Sequence, residues 1–110
     1  MPDLLRKEIA TAAHTIIVKV GTRVLTGPDG TLSQERIAHL AQEIHEVLDS
    51  GRKLVLVSSG AVGAGMGQLG LKKRPTDLAM LQAVAAIGQT YLVQTYDREF
   101  RRFGRHAAQI

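Results

Sequence analysis

Leu54-Val55-Leu56-Val57 runs straight into Ser58-Ser59-Gly60-Ala61-Val62-Gly63-Ala64-Gly65, and no other stretch constrains the fold as tightly. Four consecutive Leu and Val residues read as a strand buried on both faces, the pattern of a parallel sheet covered by helices. The residues that follow are small, carry hydroxyls and leave backbone N–H groups uncovered. A strand ending in a Ser/Gly turn that opens a helix gathers unpaired donors and the positive helix end at one point, which suits a carboxylate or a phosphate. A shorter version lies upstream, where Thr15-Ile16-Ile17-Val18-Lys19-Val20 leads into Gly21 and Thr22. Two anion-friendly strand ends in a chain of 110 residues point towards phosphoryl transfer.

The segment between the two strands predicts a helix. Ser33 is placed to cap it, Leu32 and Ile37 have the spacing of a hydrophobic staple, and Glu35 falls in the first turn. Ile37, Leu40, Ala41, Ile44, Val47 and Leu48 share one face, and Gly51 supplies the stop. Strand 15–20, this helix and strand 53–58 make a βαβ unit with a right-handed crossover. The expected fold class is therefore α/β, a partial three-layer αβα sandwich with a mostly parallel sheet. Residues 3–13 read as a short helix with Leu4, Leu5 and Ile9 on one side, within an N-terminal extension over 1–14. Thr26-Gly27-Pro28-Asp29-Gly30 reads as a turn. The Gly-rich segment 60–70 begins a short helix, and 71–76 is a basic loop.

From Asp77 a long helix is expected, with Leu78, Leu81, Ala85, Gly88, Leu92, Tyr96 and Phe103 along one line and Gly104 at its end. Ala79, Ala83, Ala85, Ala86 and Gly88 would let another helix approach closely. That makes the stretch a subunit interface or simply a helix lying on the sheet. Arg105–Ile110 reads as the start of a third strand. An α/β sheet halted there leaves an unsupported edge, so the chain reads as the N-terminal portion of a longer domain that begins at residue 15.

Composition narrows the class. Aromatic content is 4% with no Trp, so the core must come from Leu, Ile, Val and Ala, which favours α/β layers over an aromatic-rich sandwich. The absence of Cys removes disulfides, thiolate metal sites and a Cys nucleophile. No run of about 18 apolar residues predicts a membrane span, and Met1–Glu8 mixes charges too early for a secretory signal. The chain reads as a cytoplasmic protein with no membrane partner. Its formal charge of +4 raises the question of nucleic acid. The cations are dispersed except at Lys72-Lys73-Arg74 and at Arg98, Arg101, Arg102 and Arg105, and no aromatic platforms are interleaved with them. A solvated loop and a solvated helix face are the favoured reading, and no nucleic acid partner is expected.

Several familiar motifs fail here. Gly60 and Gly65 have Walker A spacing, but Met66 stands where the Lys belongs and Gly67 where the Ser/Thr belongs. Gly65-x-Gly67-x-x-Gly70 matches a dinucleotide fingerprint by letter but starts well after the strand. Ser59 fails as a nucleophile elbow because Val57 replaces the required Gly. His14, His39, His45 and His106 lack metal-ligand spacing and fall at surfaces or element ends, so no metal ligand is assigned. Lys19 sits inside an apolar strand, where a charge is costly without a partner or a task. Position alone leaves open an edge-strand lysine reaching water.

The segment Val18-Lys19-Val20-Gly21-Thr22-Arg23-Val24-Leu25-Thr26, together with Val57–Gly65, resembles the glutamate-phosphorylating branch of the amino acid kinase family. Ala85-Ala86-Ile87-Gly88-Gln89 resembles a further stretch of the same branch, and the similarity spans residues 15–110. Gly21-Thr22 is the discriminating detail, because relatives acting on acetylglutamate, aspartate or UMP usually carry paired glycines or Ser-Gly there. The resemblance implies that Lys19 contacts the ATP phosphates as a catalytic charge, with Gly21 and Thr22 lining the same site. It implies that Ser59, with Gly60 and Ala61 beside it, binds substrate L-glutamate. The implied reaction moves the ATP γ-phosphoryl group, with Mg²⁺ on the phosphates, to the glutamate side-chain carboxylate and gives glutamyl 5-phosphate for proline synthesis. A homo-oligomer is expected.

Family members continue well beyond residue 110. The chain would therefore carry one wall of the active site and be inactive alone. Another member of the family is the nearest alternative reading, and a non-catalytic module binding an acidic partner or RNA is the one from a different class.

Overall fold

A computed structural model describes residues 2–110. The two apolar runs form strands β1 (Thr15–Val20) and β2 (Lys53–Ser58), paired in parallel with Thr15 opposite Lys53 and Val20 opposite Ser58. Helix α1 (Pro2–Ala12) precedes them, and the short α2 (Thr22–Leu25) and the longer α3 (Gln34–Asp49) make the crossover. Helices α4 (Ala61–Leu69) and α5 (Leu78–Arg101) follow β2. The α/β class and the parallel sheet are as expected. α3 starts as the sequence requires, with Ser33 Oγ accepting from the Arg36 N–H at 3.3 Å. Ser50 caps its far end, one residue before Gly51. The one element not anticipated is α2, a single turn lodged between Gly21 and the turn at 26–30.

Strand alternation then decides which side is core. Val18, Val20, Leu54 and Leu56 pack against Ile37, Ala41 and Ile44 of α3 and Leu92, Tyr96 and Phe100 of α5. Complete burial of side chains such as Leu25, Ile37 and Leu92 stabilises the fold by about 1.5–3 kcal/mol each. Two layers of the sandwich thus lie within the described residues.

The opposite face of the sheet carries Ile17, Lys19, Val55 and Val57, and there the expectation of burial on both faces does not hold. Val55 and Val57 are 43% and 47% exposed, because both packed helices lie on the other side. The third strand expected over 105–110 is also absent. Those residues have no ladder partner and run as an irregular tail. Side-chain contacts hold the tail instead. Phe103 stacks on His45 with ring centroids 4.4 Å apart, Arg105 Nε donates to His45 Nδ1, and the Ala107 N–H donates to Asp97 Oδ1. The Ala107 N–H, with Arg101 and His106 nearby, holds the Asp97 carboxyl below the usual carboxylate range. His45 is accordingly a packed residue rather than a surface one, whereas His14, His39 and His106 are exposed.

The long helix keeps only part of its expected line. Gly88, Leu92 and Tyr96 are buried, joined by Val84, Thr95, Glu99 and Phe100, while Leu78 is 69% exposed. Its first turns meet α4 rather than the sheet, and this rotates the buried stripe. The small residues serve that contact. A Cβ on Gly65 would lie 2.8 Å from the Val84 carbonyl carbon, and one on Gly88 would lie 2.8 Å from that of Ala61. The close approach that the sequence offered to a subunit or to the sheet is thus taken by α4 of the same chain. Among the described residues no helix is long and apolar enough to cross a membrane.

Candidate active site

β1 and β2 are parallel, so both strands end at the same side of the sheet, and the loops after them meet. Val20 and Ser58 are register partners, and the Ser59 N–H extends the ladder by donating to Val20 O at 3.0 Å. The chain then turns at Gly60, whose φ of +108° is a backbone region that side-chain-bearing residues rarely adopt. α4 begins at once. Its first turn closes with the Ala64 N–H on Gly60 O, and no side chain caps it, so the N–H groups of Ala61, Val62 and Gly63 have no partner within the helix.

Around this helix start lies an open cleft of about 270 Å³, lined by Thr22 from the β1 end, by Ser59, Gly60 and Ala61 from the β2 end, and by Arg74. A larger hollow of about 510 Å³ runs along the outer edge of β2, lined by groups such as Leu54, Val93 and Phe100. Its apolar lining and lack of a helix start make it the poorer place for an anion, and the smaller cleft is the candidate site.

The two serines differ in availability. Ser58 Oγ lies 2.8 Å from the Tyr96 hydroxyl and donates to Ser59 O at 3.0 Å. A serine has one hydroxyl proton, so with that proton on Ser59 O the tyrosine is the donor to Ser58. Burial pushes the Tyr96 hydroxyl pKa up, only partly offset by the serine contact, so it remains a donor at neutral pH. Ser58 and Tyr96 therefore brace the turn, and the exposed Ser59 hydroxyl stays free among the described contacts. Tyr96 is a supporting residue that sequence reasoning placed only as core. Its only sequence signal was its place on the buried line of the helix.

Of the residues singled out in the sequence, Thr22, Ser59, Gly60 and Ala61 come together. Lys19 and Gly21 do not line the cleft. Lys19 is exposed on the open face of the sheet, with Val57 as its register partner, so the cost of burying its charge does not arise in this chain. Gly21 caps α2 with an ordinary φ of −81°, and a Cβ there would meet nothing within 4 Å, which leaves the space above the end of β1 open. Arg74 is the residue that sequence reasoning missed. In sequence it reads, with Lys72 and Lys73, as part of a solvated loop, and nothing in the local pattern tells that the loop returns to the start of α4. The other clustered arginines are engaged nearby, Arg98 with Gln34 at 2.7 Å and Arg101 with Asp97 at 2.9 Å. No group of three or more His, Cys, Asp or Glu that could hold a metal occurs among the described residues.

Comparison with known proteins identifies the family. The chain is 51% identical over 106 residues to a protein of Rhodopirellula baltica named glutamate 5-kinase, covering 96% of this chain and 27% of that protein. It is 43% identical over 104 residues to the Mycobacterium ulcerans protein of the same name, covering 94% and 28%. A Clostridium acetobutylicum protein, also named glutamate 5-kinase, is 40% identical over 105 residues, covering 96% and 39%. The chain thus spans between about a quarter and two fifths of the length of these relatives. The profile of the amino acid kinase family matches residues 14–110, which takes in both strands, the cleft and the helices around it, and the chain belongs to that family.

Proposed function

We propose that the chain forms one wall of the active site of a kinase that uses ATP to phosphorylate the side-chain carboxylate of L-glutamate, giving glutamyl 5-phosphate as the first step of proline synthesis in the cytoplasm. The observation that carries this reading is the cleft. It joins Thr22, just beyond the lysine strand, to Ser59, Gly60 and Ala61 at the start of α4, in a chain whose relatives are named for that activity.

In the reaction a glutamate carboxylate oxygen attacks the γ-phosphorus, the bond from that phosphorus to the β,γ-bridging oxygen breaks, and ADP leaves with the electron pair. Such transfer depends mainly on positioning and on charge stabilisation. Ser59 and the open N–H groups of Ala61 and Val62 orient the acceptor. Thr22, Gly21 and Lys19 face the donor phosphates from the neighbouring strand end. Mg²⁺ would enter with the nucleotide and offset charge on its phosphates.

The test is an ADP-release assay on the full-length protein with glutamate, N-acetylglutamate, aspartate and UMP as acceptors. Glutamate-dependent turnover is expected. Turnover with one of the others in its place would assign the chain to another branch of the family, and salt-sensitive RNA retention without turnover would favour a binding module.

Ser59→Ala is expected to impair use of glutamate more than use of ATP. One hydrogen bond to a charged or polar acceptor is worth about 0.5–3 kcal/mol, seen as a raised KM or lowered kcat for glutamate. The Ser59 hydroxyl holds up no other described group, so the fold should be unchanged. Wild-type kinetics for glutamate in that variant would remove Ser59 from the site.

A further inference from the structure

The cleft carries a single charged residue, and the reaction proposed above leaves it without a task. Arg74 lies in the loop between α4 and α5, and its side chain reaches back to line the cleft beside Gly60 and Ala61. Every other residue lining the cleft is neutral, and no carboxylate borders it. Among the described residues Arg74 makes no ion pair and no side-chain hydrogen bond, while Arg36, Arg52, Arg98, Arg101, Arg102 and Arg105 each make at least one.

The loop is tethered at both ends. The Leu71 N–H donates to Met66 O at 2.9 Å, and Asp77 caps α5 by accepting from the Met80 N–H. Pro75 further restricts the backbone of Arg74 to extended conformations, which lowers the entropy cost of holding the guanidinium in place. An exposed, unpaired guanidinium in a cleft with no acidic group is complementary to a carboxylate, which its planar fork can bind through two parallel hydrogen bonds.

Glutamate has two carboxylates. The one that reacts must lie towards the strand end bearing Lys19, Gly21 and Thr22, which leaves the other in need of a cation. We propose that Arg74 binds the non-reacting carboxylate of glutamate and so selects a dicarboxylate acceptor. This inference rests on the glutamate-kinase reading and adds a residue to it.

The experiment compares wild type, Arg74→Ala and Arg74→Lys in the full-length kinase. Glutamate is set against 4-aminobutyrate, which keeps the reacting carboxylate and the amine but lacks the second carboxylate, measured as substrate or as competitive inhibitor. Arg74→Ala is expected to raise KM for glutamate by about 10- to 100-fold, the usual range for losing hydrogen bonds to a charged group. KM for ATP should be unchanged, and the preference for glutamate over 4-aminobutyrate should shrink by the same factor. Arg74→Lys should restore part of both.

An unchanged glutamate KM would overturn the proposal. A rise in KM for ATP alone would assign the guanidinium to the nucleotide, and an equal loss on both acceptors would mean that Arg74 only shapes the cleft. A parent protein that turns over ATP but not glutamate would overturn the glutamate-kinase reading itself, and this one with it. Arg74 supports no described contact, so circular dichroism should find all three proteins equally folded.

Discussion

Replacing Lys19 by alanine in the full-length protein is expected to lower kcat by about 100-fold or more, the usual size of the loss when one charge aimed at a transition state is deleted. The expectation rests on where β1 ends. Lys19 lies two residues before Gly21, on the strand whose end delivers Thr22 to the cleft. Its side chain is exposed and unpaired among the described residues, so it is free to meet an incoming triphosphate. Negative charge builds up on the departing β,γ-bridging oxygen in the transition state, so an ammonium at the phosphates acts on kcat more than on binding.

Lys19→Arg keeps the charge but spreads it over a planar fork and should recover only part of the rate. Lys53 provides the control. It sits on the same open face of the sheet at the far end of β2, and Lys53→Ala should leave kcat unchanged. An exposed residue leaves no hole in the core when removed, so a fall in rate would not be a folding defect. Normal turnover by Lys19→Ala would mean that the lysine is only a strand residue reaching water.

The elements that sequence made legible are those whose signals are local. A capping serine, a helical stripe and two β-branched runs fix α3, β1 and β2 regardless of what surrounds them. The turn at Ser58-Ser59-Gly60 was legible because only a glycine suits the backbone there. What escaped was decided at long range. The exposure of Val55 and Val57 depends on which elements lie against the second face of the sheet, and a strand's own composition reports its preference, not its neighbours. The segment 105–110 has strand-like letters but pairs with neither edge of the two-stranded sheet, and its side chains bind α3 and α5 instead. Arg74 looks like its basic neighbours in sequence. Only the path of the loop over α4 separates it from them. The glycines of 65–70 imitate a nucleotide fingerprint, yet Gly65 is there because α5 leaves no room for a Cβ.

The same crowding makes Gly88→Ala a damaging substitution. Alanine is the better helix former by about 1 kcal/mol, so local propensity alone predicts a more stable α5. Packing predicts the reverse. The added methyl would overlap the Ala61 carbonyl oxygen and the Gly65 backbone nitrogen, and both are backbone atoms that no side-chain rotation can clear. Relief requires α4 to move away from α5. Overpacking of a closed contact costs about 1–3 kcal/mol or more, so the steric term exceeds the propensity gain.

The movement has a second consequence. Ala61 is both the residue struck and the first residue of α4, and the cleft is built on that helix start. Gly88→Ala should therefore lower the melting temperature by several degrees and also lower kcat/KM for glutamate. Ala83→Ser, on the exposed side of the same helix, should do neither. Thermal denaturation and steady-state kinetics on the same preparations read both effects. A Gly88→Ala protein that melts at or above the wild-type temperature with full activity would show that the backbones of α4 and α5 are not in contact at this point. The support assigned to the start of α4 would then be lost.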